Sequence, residues 1–294
     1  MAVSRTALSH GAMLLFTALI ATSFTVGGLI THEAAPEAVT FLRFLLAGLI
    51  FLAAIAAQGK LAVPDLSSAG RYAVIGGLLA IFFVTMFEAL RWTDPVATGA
   101  MFTLVPALSA LIAMPLIGQR HGVRVWAGLL IGCAGAIWVL FDGDWQKLLG
   151  FQVGYGEAIF IPGCIAYAAY SPTVRKLHRG ESLVEINFFA IVAGAALTGL
   201  YGFASIAETP WMQLPWWTYL GIAHLAVFTT AISFMLIKFA SLNLPSAKVM
   251  AYTYLLPAFI VAYEGLIGHG WPQVTVLAGI AVTVTAVAVI ESDP

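Results

Sequence analysis

Two related stretches, 150 residues apart, decide the architecture of this chain. Residues 94–107 read DPVATGAMFTLVPA, and residues 244–258 read LPSAKVMAYTYLLPA. Both stretches are apolar, begin next to a proline and contain a second proline further on. The matching positions are Pro95 with Pro245, Ala97 with Ala247 and Gly118 with Gly268, whereas Pro106 and Pro257 are one residue out of register. The pattern predicts a chain built from two copies of one helical unit.

The composition excludes an ordinary water-soluble domain. Of 294 residues, 61% are hydrophobic and 9% are charged, and the mean hydropathy is +0.96. A soluble domain carries about 25% charged residues because its surface faces water. The net charge of −1 gives no field that would attract nucleic acid. Cys133 and Cys164 lie inside apolar runs, where we interpret them as packing residues.

The apolar runs are long enough for helices that cross a bilayer, which need about 20 residues each. They are twice too long for the strands of a membrane barrel and lack its alternation. We therefore predict an all-α membrane protein with ten transmembrane helices, the first of them retained rather than cleaved. The predicted spans are Gly11–Ile30, Ala38–Ala57, Ala69–Leu90, Val96–Ile117, Gly122–Phe141, Gly154–Pro172, Ile186–Phe203, Trp216–Ile237, Ser246–Ile267 and Val274–Ile290.

The basic residues between these spans predict the orientation. Lysine and arginine are enriched in cytoplasmic segments of membrane proteins. With the N-terminus inside, nine basic residues lie in inner segments and two in outer ones, which predicts a multi-pass protein of the bacterial inner membrane with both termini in the cytoplasm. The inner nine are Arg5, Lys60, Arg71, Arg120, Arg124, Arg175, Lys176, Arg179 and Lys238, and the outer two are Arg91 and Lys147.

Five spans in each copy would place the two copies upside down relative to each other. We predict a first repeat over residues 1–145 (spans one to five) and a second over residues 146–294 (spans six to ten). Inverted repeats are typical of secondary transporters, which bind substrate between the repeats near the middle of the bilayer. The chain has no GxxxxGK phosphate loop and no HExxH motif, so we expect neither an enzyme nor a cofactor or metal.

Further motifs resemble a known family. Span two contains Arg43 and Phe44 within FLRFLLA, residues 87–107 read FEALRWTDPVATGAMFTLVPA, and span six opens with Gly156 and Glu157 and closes with AYAAYSPTVRKL. In these stretches the sequence resembles the drug/metabolite transporter superfamily, in its ten-helix EamA-type branch, and most of all the aromatic amino-acid exporters of the YddG type. The resemblance implies a ten-helix exporter fold.

One departure from the family limits what the resemblance carries over. The family often ends its fourth and ninth spans with Gly-Glu, whereas this chain has Gly118-Gln119 and Gly268-His269. Roles that belong to those glutamates are therefore not transferred to this chain.

Four ionisable residues inside or near the spans are candidates for substrate contact. Ions within a membrane usually face the interior of the bundle. Arg43 and Lys248 would each meet a substrate carboxylate, Glu264 an ammonium group or a proton, and His224 a proton. The alternatives remain open for each: Arg43 as a structural anchor, Lys248 snorkelling to the cytoplasmic surface, Glu264 capping a helix and His224 packing in the core.

Aromatic residues and prolines complete the candidate site. A cavity for apolar or aromatic substrates requires an apolar lining with few polar groups, although each aromatic residue would equally suit a lipid-facing position. The candidate aromatic residues are Phe83, Phe87, Phe102, Tyr167, Tyr170 and Tyr252. Pro106 and Pro257 lie within spans, where a missing backbone donor permits bending, and we predict gating movements there.

Taken together, the residues and the resemblance predict a secondary transporter that exports amino acids, aromatic and other neutral ones, by alternating access through a cavity between the repeats. Its partners would be a small-molecule substrate and the lipid bilayer, in a monomeric protein. The alternatives are export of another small metabolite or drug-like compound and, from a different class, a membrane-embedded enzyme or receptor.

Overall fold

The computed structural model describes residues 5–57, 64–150, 152–241, 243–244 and 246–292, and within these ranges the chain forms helices and no strands. Pro245 of the predicted repeat lies outside the described residues. Ten long helices are α1 (Arg5–Ile30), α2 (Pro36–Ala56), α3 (Leu66–Ala89), α4 (Pro95–Phe102 and Val105–Ile117), α5 (Val123–Leu140), α6 (Tyr155–Leu177), α7 (Leu183–Tyr201), α8 (Trp216–Ala226, Val227–Ile232 and Ser233–Ser241), α9 (Ser246–Ala251, Tyr252–Leu255 and Leu256–Leu266) and α10 (Val274–Glu291). Three short helices are Trp145–Leu149, Phe203–Glu208 and Trp211–Gln213.

Nine of the described helices are long and apolar enough to cross a membrane, with mean hydropathies between 1.4 and 2.3 over their best windows. The exception is α6, where the sequence predicts the sixth of ten spans. This helix is long enough, with 23 residues, but it includes Glu157, two internal prolines and two basic residues in its last turn. It packs against α3 and α4 within the bundle, where polar side chains need not face lipid.

Local sequence signals explain where several helices begin. The side chains of Asp65, Asp94, Asp144 and Ser182 each accept a backbone N–H bond in the first turn of the helix that follows, as N-cap residues do. Pro36 and Pro95 lie in the first turn of α2 and α4, where the missing donor has no cost.

The helices pack in a pattern that repeats between the two halves of the chain. Helix α3 packs against α6 as α8 packs against α1, and α4 packs against α6 as α9 packs against α1. Helix α3 also contacts α7 as α8 contacts α2. The pairs α2–α7 and α5–α10 each join a helix to its own counterpart. Exchanging α1–α5 with α6–α10 therefore leaves these pairings unchanged.

Glycines allow some of these helices to pack with their backbones in direct contact. A Cβ atom added to Gly76 of α3 would overlap the carbonyl oxygen of Ala190 of α7 and lie 2.6 Å from the nitrogen of Gly194. In α5, a Cβ at Gly135 would lie 2.8 Å from the carbonyl oxygen of Gly279 of α10. Small residues at such crossings let helices in membranes gain van der Waals contact.

Helices α4 and α9 are interrupted at corresponding places. In α4 the break falls at Thr103 and Leu104, and Pro106 lies in the first turn of the second segment. In α9 the segment Tyr252–Leu255 is a 3₁₀ helix, and Pro257 lies in the first turn after it. A proline cannot supply the N–H of a continuous helix, so each break has a local cause.

The two ends of the described chain lie at the same face of the bundle, because His10 Nδ1 is 3.9 Å from Glu291 Oε1. We call this the N-terminal face and the other one the opposite face. At the N-terminal face the connection between α6 and α7 is fastened to α3. Arg71 Nη1 lies 2.7 Å from Glu181 Oε1 and donates to the carbonyl of Leu177 at 2.6 Å.

The surroundings of Glu181 in this contact with Arg71 favour the ionised form of its carboxylate. Partial burial alone would raise the pKa of Glu181. Hydrogen bonds from the backbone N–H groups of Arg179 and Glu181 and from the Arg71 guanidinium outweigh that effect and lower the pKa to about 2. The link between α3 and the α6–α7 connection is therefore charged at neutral pH.

Candidate functional site

A cavity of about 410 Å³ lies at the centre of the bundle, and we call it the central cavity. Its walls come from α1, α2, α3, α4, α6, α7, α8 and α9, so both halves of the chain contribute. Its volume falls within the range of sites for small molecules. At the N-terminal face its lining includes Arg175, Ser241 and Met250, which lie near the ends of their helices.

Packed side chains separate the central cavity from the opposite face. Phe87, Leu90 and Ile30 are buried beyond the last lining residues on that side. The hydroxyl of Thr31 donates to the carbonyl of Phe87 at 2.7 Å and joins α1 to α3 there. The structure therefore describes a state in which the cavity reaches towards the N-terminal face and is closed at the opposite one.

Arg43 is the charged group in the inner part of the cavity wall. It is the eighth residue of α2, hence about 10 Å along the helix from its start at 1.5 Å per residue. Its side chain is fully buried, and Nε donates to Thr230 Oγ1 and Nη2 to Thr229 Oγ1, both at 3.0 Å. The guanidinium carbon lies 3.9 Å from the centre of the Phe83 ring, a cation–π contact.

One nitrogen of Arg43 has no partner. Nη1 is buried and makes no hydrogen bond within the described part of the chain. A buried donor left unpaired carries a desolvation cost, and more so when it is charged. Guanidinium groups present a planar set of donors that matches a carboxylate. Arg43 is therefore held by two threonines and a ring while retaining a donor for a further acceptor.

A local widening of α8 positions the two threonines. Residues Val227–Ile232 form a π-helical turn, which inserts a residue relative to a regular α-helix and is frequent at functional sites. Thr229 and Thr230, although consecutive, both donate to the carbonyl of Leu225 at 2.9 Å and both accept from Arg43. Their hydroxyl groups thus link the carbonyl of their own helix to the guanidinium.

Aromatic side chains form a continuous surface beside Arg43. The Phe82 ring centre lies 4.5 Å from that of Tyr167 and 5.4 Å from that of Phe102, and the rings of Tyr167 and Tyr170 stack at 5.9 Å. These distances are those of favourable ring pairs. Together with Phe83, these residues line the central cavity and give it a surface suited to an apolar ring.

The remaining polar groups of the lining are uncharged, apart from Arg175 near the N-terminal face. They are the side chains of Ser23, Ser109, Ser171, Asn187, Thr229, Ser241 and Thr253. Tyr170 donates to Asn187 Oδ1 at 3.4 Å, and Ser23 Oγ has no partner within the described residues. No aspartate or glutamate is among the described residues of the lining, so its fixed charge is positive.

Five of the residues predicted from the sequence meet at this cavity. They are Arg43, Phe83, Phe102, Tyr167 and Tyr170. Phe87 lies just beyond it, in the packed layer towards the opposite face, where it is fully buried. Sequence reasoning missed Phe82, Asn187, Thr229 and Thr230. The consecutive threonines within an apolar run were a signal that could have pointed to the last two.

Four other predicted residues lie outside the cavity. Lys248 donates to the carbonyl of Glu291 at 2.9 Å and so joins α9 to α10. The hydroxyl of Tyr252 lies 2.6 Å from His10 Nδ1, and His224 Nε2 lies 2.7 Å from the hydroxyl of Thr22. Glu264 lies near the opposite face, in contact with His269 rather than with the central cavity.

A helical bundle of apolar helices around a central cavity lined from both halves describes a multi-pass membrane transporter. The chain belongs to the EamA-like transporter family, whose sequence model matches residues 9–141 and 154–292, and hence to the drug/metabolite transporter superfamily.

Curated relatives include transporters of unknown and of named substrate. The chain is 30% identical over 207 residues to the aromatic amino acid exporter YddG of Ancylobacter novellus, covering 67% of this chain and 66% of the relative. It is 20% identical over 202 residues to the uncharacterized transporter YyaM of Bacillus subtilis, covering 67% and 65%. The matches thus span about two thirds of the length of these two relatives. A solved crystal structure shares the fold, with a TM-score of 0.70 at 23% identity over 97% of this chain and 95% of that one.

Proposed function

We propose that this transporter exports neutral amino acids, with aromatic ones favoured, through the central cavity. The observation that carries the proposal is the buried guanidinium of Arg43, which has an unpartnered nitrogen and lies beside the aromatic surface formed by Phe82, Phe83, Phe102, Tyr167 and Tyr170. A substrate carboxylate would accept from Arg43 while its aromatic ring packs on that surface. The hydroxyl and amide oxygens of the lining would accept from the ammonium group.

The charge of the cavity favours this substrate class over drug-like cations. Because the described lining holds arginines and no carboxylate, a ligand with only a positive charge would be repelled at close range. An aromatic carboxylic acid without an amine is the second candidate, since the positive lining would accept it as well. The name of the Ancylobacter novellus relative supports the amino-acid assignment.

In this proposal transport proceeds by alternating access between two inverted repeats of five spans, and α6 crosses the membrane as the sixth of the ten spans. The repeated packing pattern and the two segments matched by the family model support this arrangement. The breaks at Pro106 and Pro257 would let the halves of α4 and α9 move separately. The state described here would be open to the cytoplasm, because the nine-to-two distribution of basic residues favours an orientation with the N-terminal face on the cytoplasmic side of a bacterial inner membrane. We propose that it works as a monomer.

The proposal is tested by titrating purified protein in detergent with three ligands that share one ring. L-Phenylalanine carries both charged groups, 3-phenylpropionate only the carboxylate, and phenethylamine only the ammonium. Binding is read as displacement of labelled L-phenylalanine, so that it reports the central cavity alone. We expect unlabelled phenylalanine to displace the label, phenylpropionate to displace it more weakly and phenethylamine not to displace it. Preferential displacement by phenethylamine would overturn the assignment, and stronger displacement by phenylpropionate would favour the second candidate.

A further inference from the structure

A second cavity, of about 540 Å³, lies at the opposite face between α4, α5, α9 and α10, away from the central cavity. Its ionisable lining residues are Asp94, Asp142, Lys147, Glu264 and His269. We call it the acidic pocket. Residues of both halves of the chain form it, and it shares no lining residue with the central cavity.

Glu264 has one carboxylate oxygen that lacks a partner among the described residues. Its residue is 7% exposed, and Oε2 lies 2.7 Å from His269 Nδ1. The second carboxylate oxygen, Oε1, is buried and makes no hydrogen bond with any described residue. A buried carboxylate oxygen without a donor is costly. An N–H group from a bound molecule would remove that cost.

The charges around Glu264 determine the sign of the charge that a ligand in this pocket must carry. Lys147 neutralises Asp142, because its ammonium nitrogen lies 2.6 Å from Asp142 Oδ2. Asp94 and Glu264 have no lysine or arginine in the pocket to balance them. Negative charge in a partly dry site favours a cation.

The type of cation follows from the side chains present. No group of three or more histidine, cysteine, aspartate or glutamate residues suited to a metal ion occurs in the described parts of the chain. Trp271 also lines the pocket, and its indole covers Gly265, since a Cβ atom there would lie 2.7 Å from the ring. Tryptophan is the best aromatic partner for a cation. Gly265 follows Glu264 in the chain, so the indole that covers it and the Glu264 carboxylate belong to one pocket.

We propose that the acidic pocket binds a small organic ammonium ion, which donates to the free oxygen of Glu264 and contacts the indole of Trp271. The carboxylates select against a ligand that carries a carboxylate of its own. The site is therefore opposite in charge preference to the central cavity, and its ligand is an amine rather than an amino acid.

The test is isothermal titration of the purified full-length chain in detergent with ethylammonium chloride, against sodium chloride at equal ionic strength. We expect saturable binding of ethylammonium. Glycine carries the same ammonium group together with a carboxylate, and we expect it to displace bound ethylammonium at least tenfold more weakly than methylammonium does. A wild-type titration identical to that of sodium chloride overturns the proposal. Displacement of ethylammonium by glycine as strong as that by methylammonium overturns it as well.

Variants locate the binding. Glu264→Gln keeps the shape and an acceptor for His269, and we expect at least a tenfold loss of affinity. The matched control is Glu88→Gln, which alters another carboxylate near the opposite face, one that is engaged by Arg91 at 3.3 Å and is absent from the pocket. We expect it to bind as the wild type does.

An exposed position provides the second variant, should Glu264→Gln not fold. Trp271 is 67% exposed, so Trp271→Ala leaves the packing of the bundle largely intact. We expect this variant to bind ethylammonium at least threefold more weakly. Unchanged affinity in folded Glu264→Gln, or in Trp271→Ala, would place the cation elsewhere and refute the site.

Discussion

Replacing Arg43 by glutamine removes the charge on which the proposed substrate recognition depends. The guanidinium is buried, and its Nη1 has no partner among the described residues. A hydrogen bond to a charged group is worth about 1.5–3 kcal/mol, and about 1.4 kcal/mol corresponds to a factor of ten in affinity. We therefore expect Arg43→Gln to bind phenylalanine roughly tenfold to a hundredfold more weakly than the wild type.

The structure also predicts that this variant folds. Thr229 and Thr230 keep their hydrogen bonds to the carbonyl of Leu225 when Arg43 is replaced, so no hydroxyl is left unpaired. Removing a buried charge also removes its desolvation cost. Arg43→Lys, which keeps the charge but loses the planar donors, should bind with intermediate affinity.

The assay is equilibrium binding of phenylalanine to purified protein in detergent. Lys248→Met is the matched control, because Lys248 contacts the carbonyl of Glu291 outside the central cavity. It should bind phenylalanine as the wild type does. Wild-type affinity in a monodisperse Arg43→Gln preparation would refute Arg43 as the carboxylate partner. A loss confined to Lys248→Met would place that partner at the lysine.

Three further predictions concern packing, pH and topology. Gly76→Ala should lower the melting temperature by several degrees because the new Cβ overlaps the backbone of α7, whereas Gly70→Ala, with nothing within 4 Å, should leave it unchanged or raise it slightly, since alanine favours a helix over glycine. Glu181→Gln should lower the melting temperature equally from about pH 8 to pH 5, and the difference from wild type should shrink as the pH falls from 4.5 towards the folded pKa of about 2. In a cysteine-free background, a cysteine beside Asp144 should react with an impermeant reagent from the periplasm, and one beside Arg179 should not; the reverse pattern would invert the proposed orientation.

The helices were predictable because their information is local. Runs of about 20 apolar residues, N-cap aspartates and prolines near helix starts depend on neighbours in the chain, and the predicted spans overlap the long helices of the structure. The clearest difference is α6, whose mixed composition reflects a helix with polar side chains turned towards the cavity, such as Tyr170 and Ser171.

The site was predictable only in part. Arg43 stood out because an ion within a span usually faces the interior. The aromatic residues of α3 and α6 stood out less clearly, because each would equally have suited a lipid-facing position. Lys248 and Glu264 are equally conspicuous in the sequence, but periodicity does not tell which neighbouring helix a side chain meets. Thr229 and Thr230 act together through a π-helical turn, and regular helical spacing places consecutive residues on different faces.

The central claim, that the chain carries aromatic amino acids across a membrane, is tested most directly by counterflow. Purified wild-type protein is reconstituted into liposomes loaded with unlabelled phenylalanine, and uptake of labelled phenylalanine from outside is followed over time. We predict transient accumulation well above that of protein-free liposomes, together with its loss in Arg43→Gln at equal protein content. Uptake by the wild type that is indistinguishable from empty liposomes would contradict the claim.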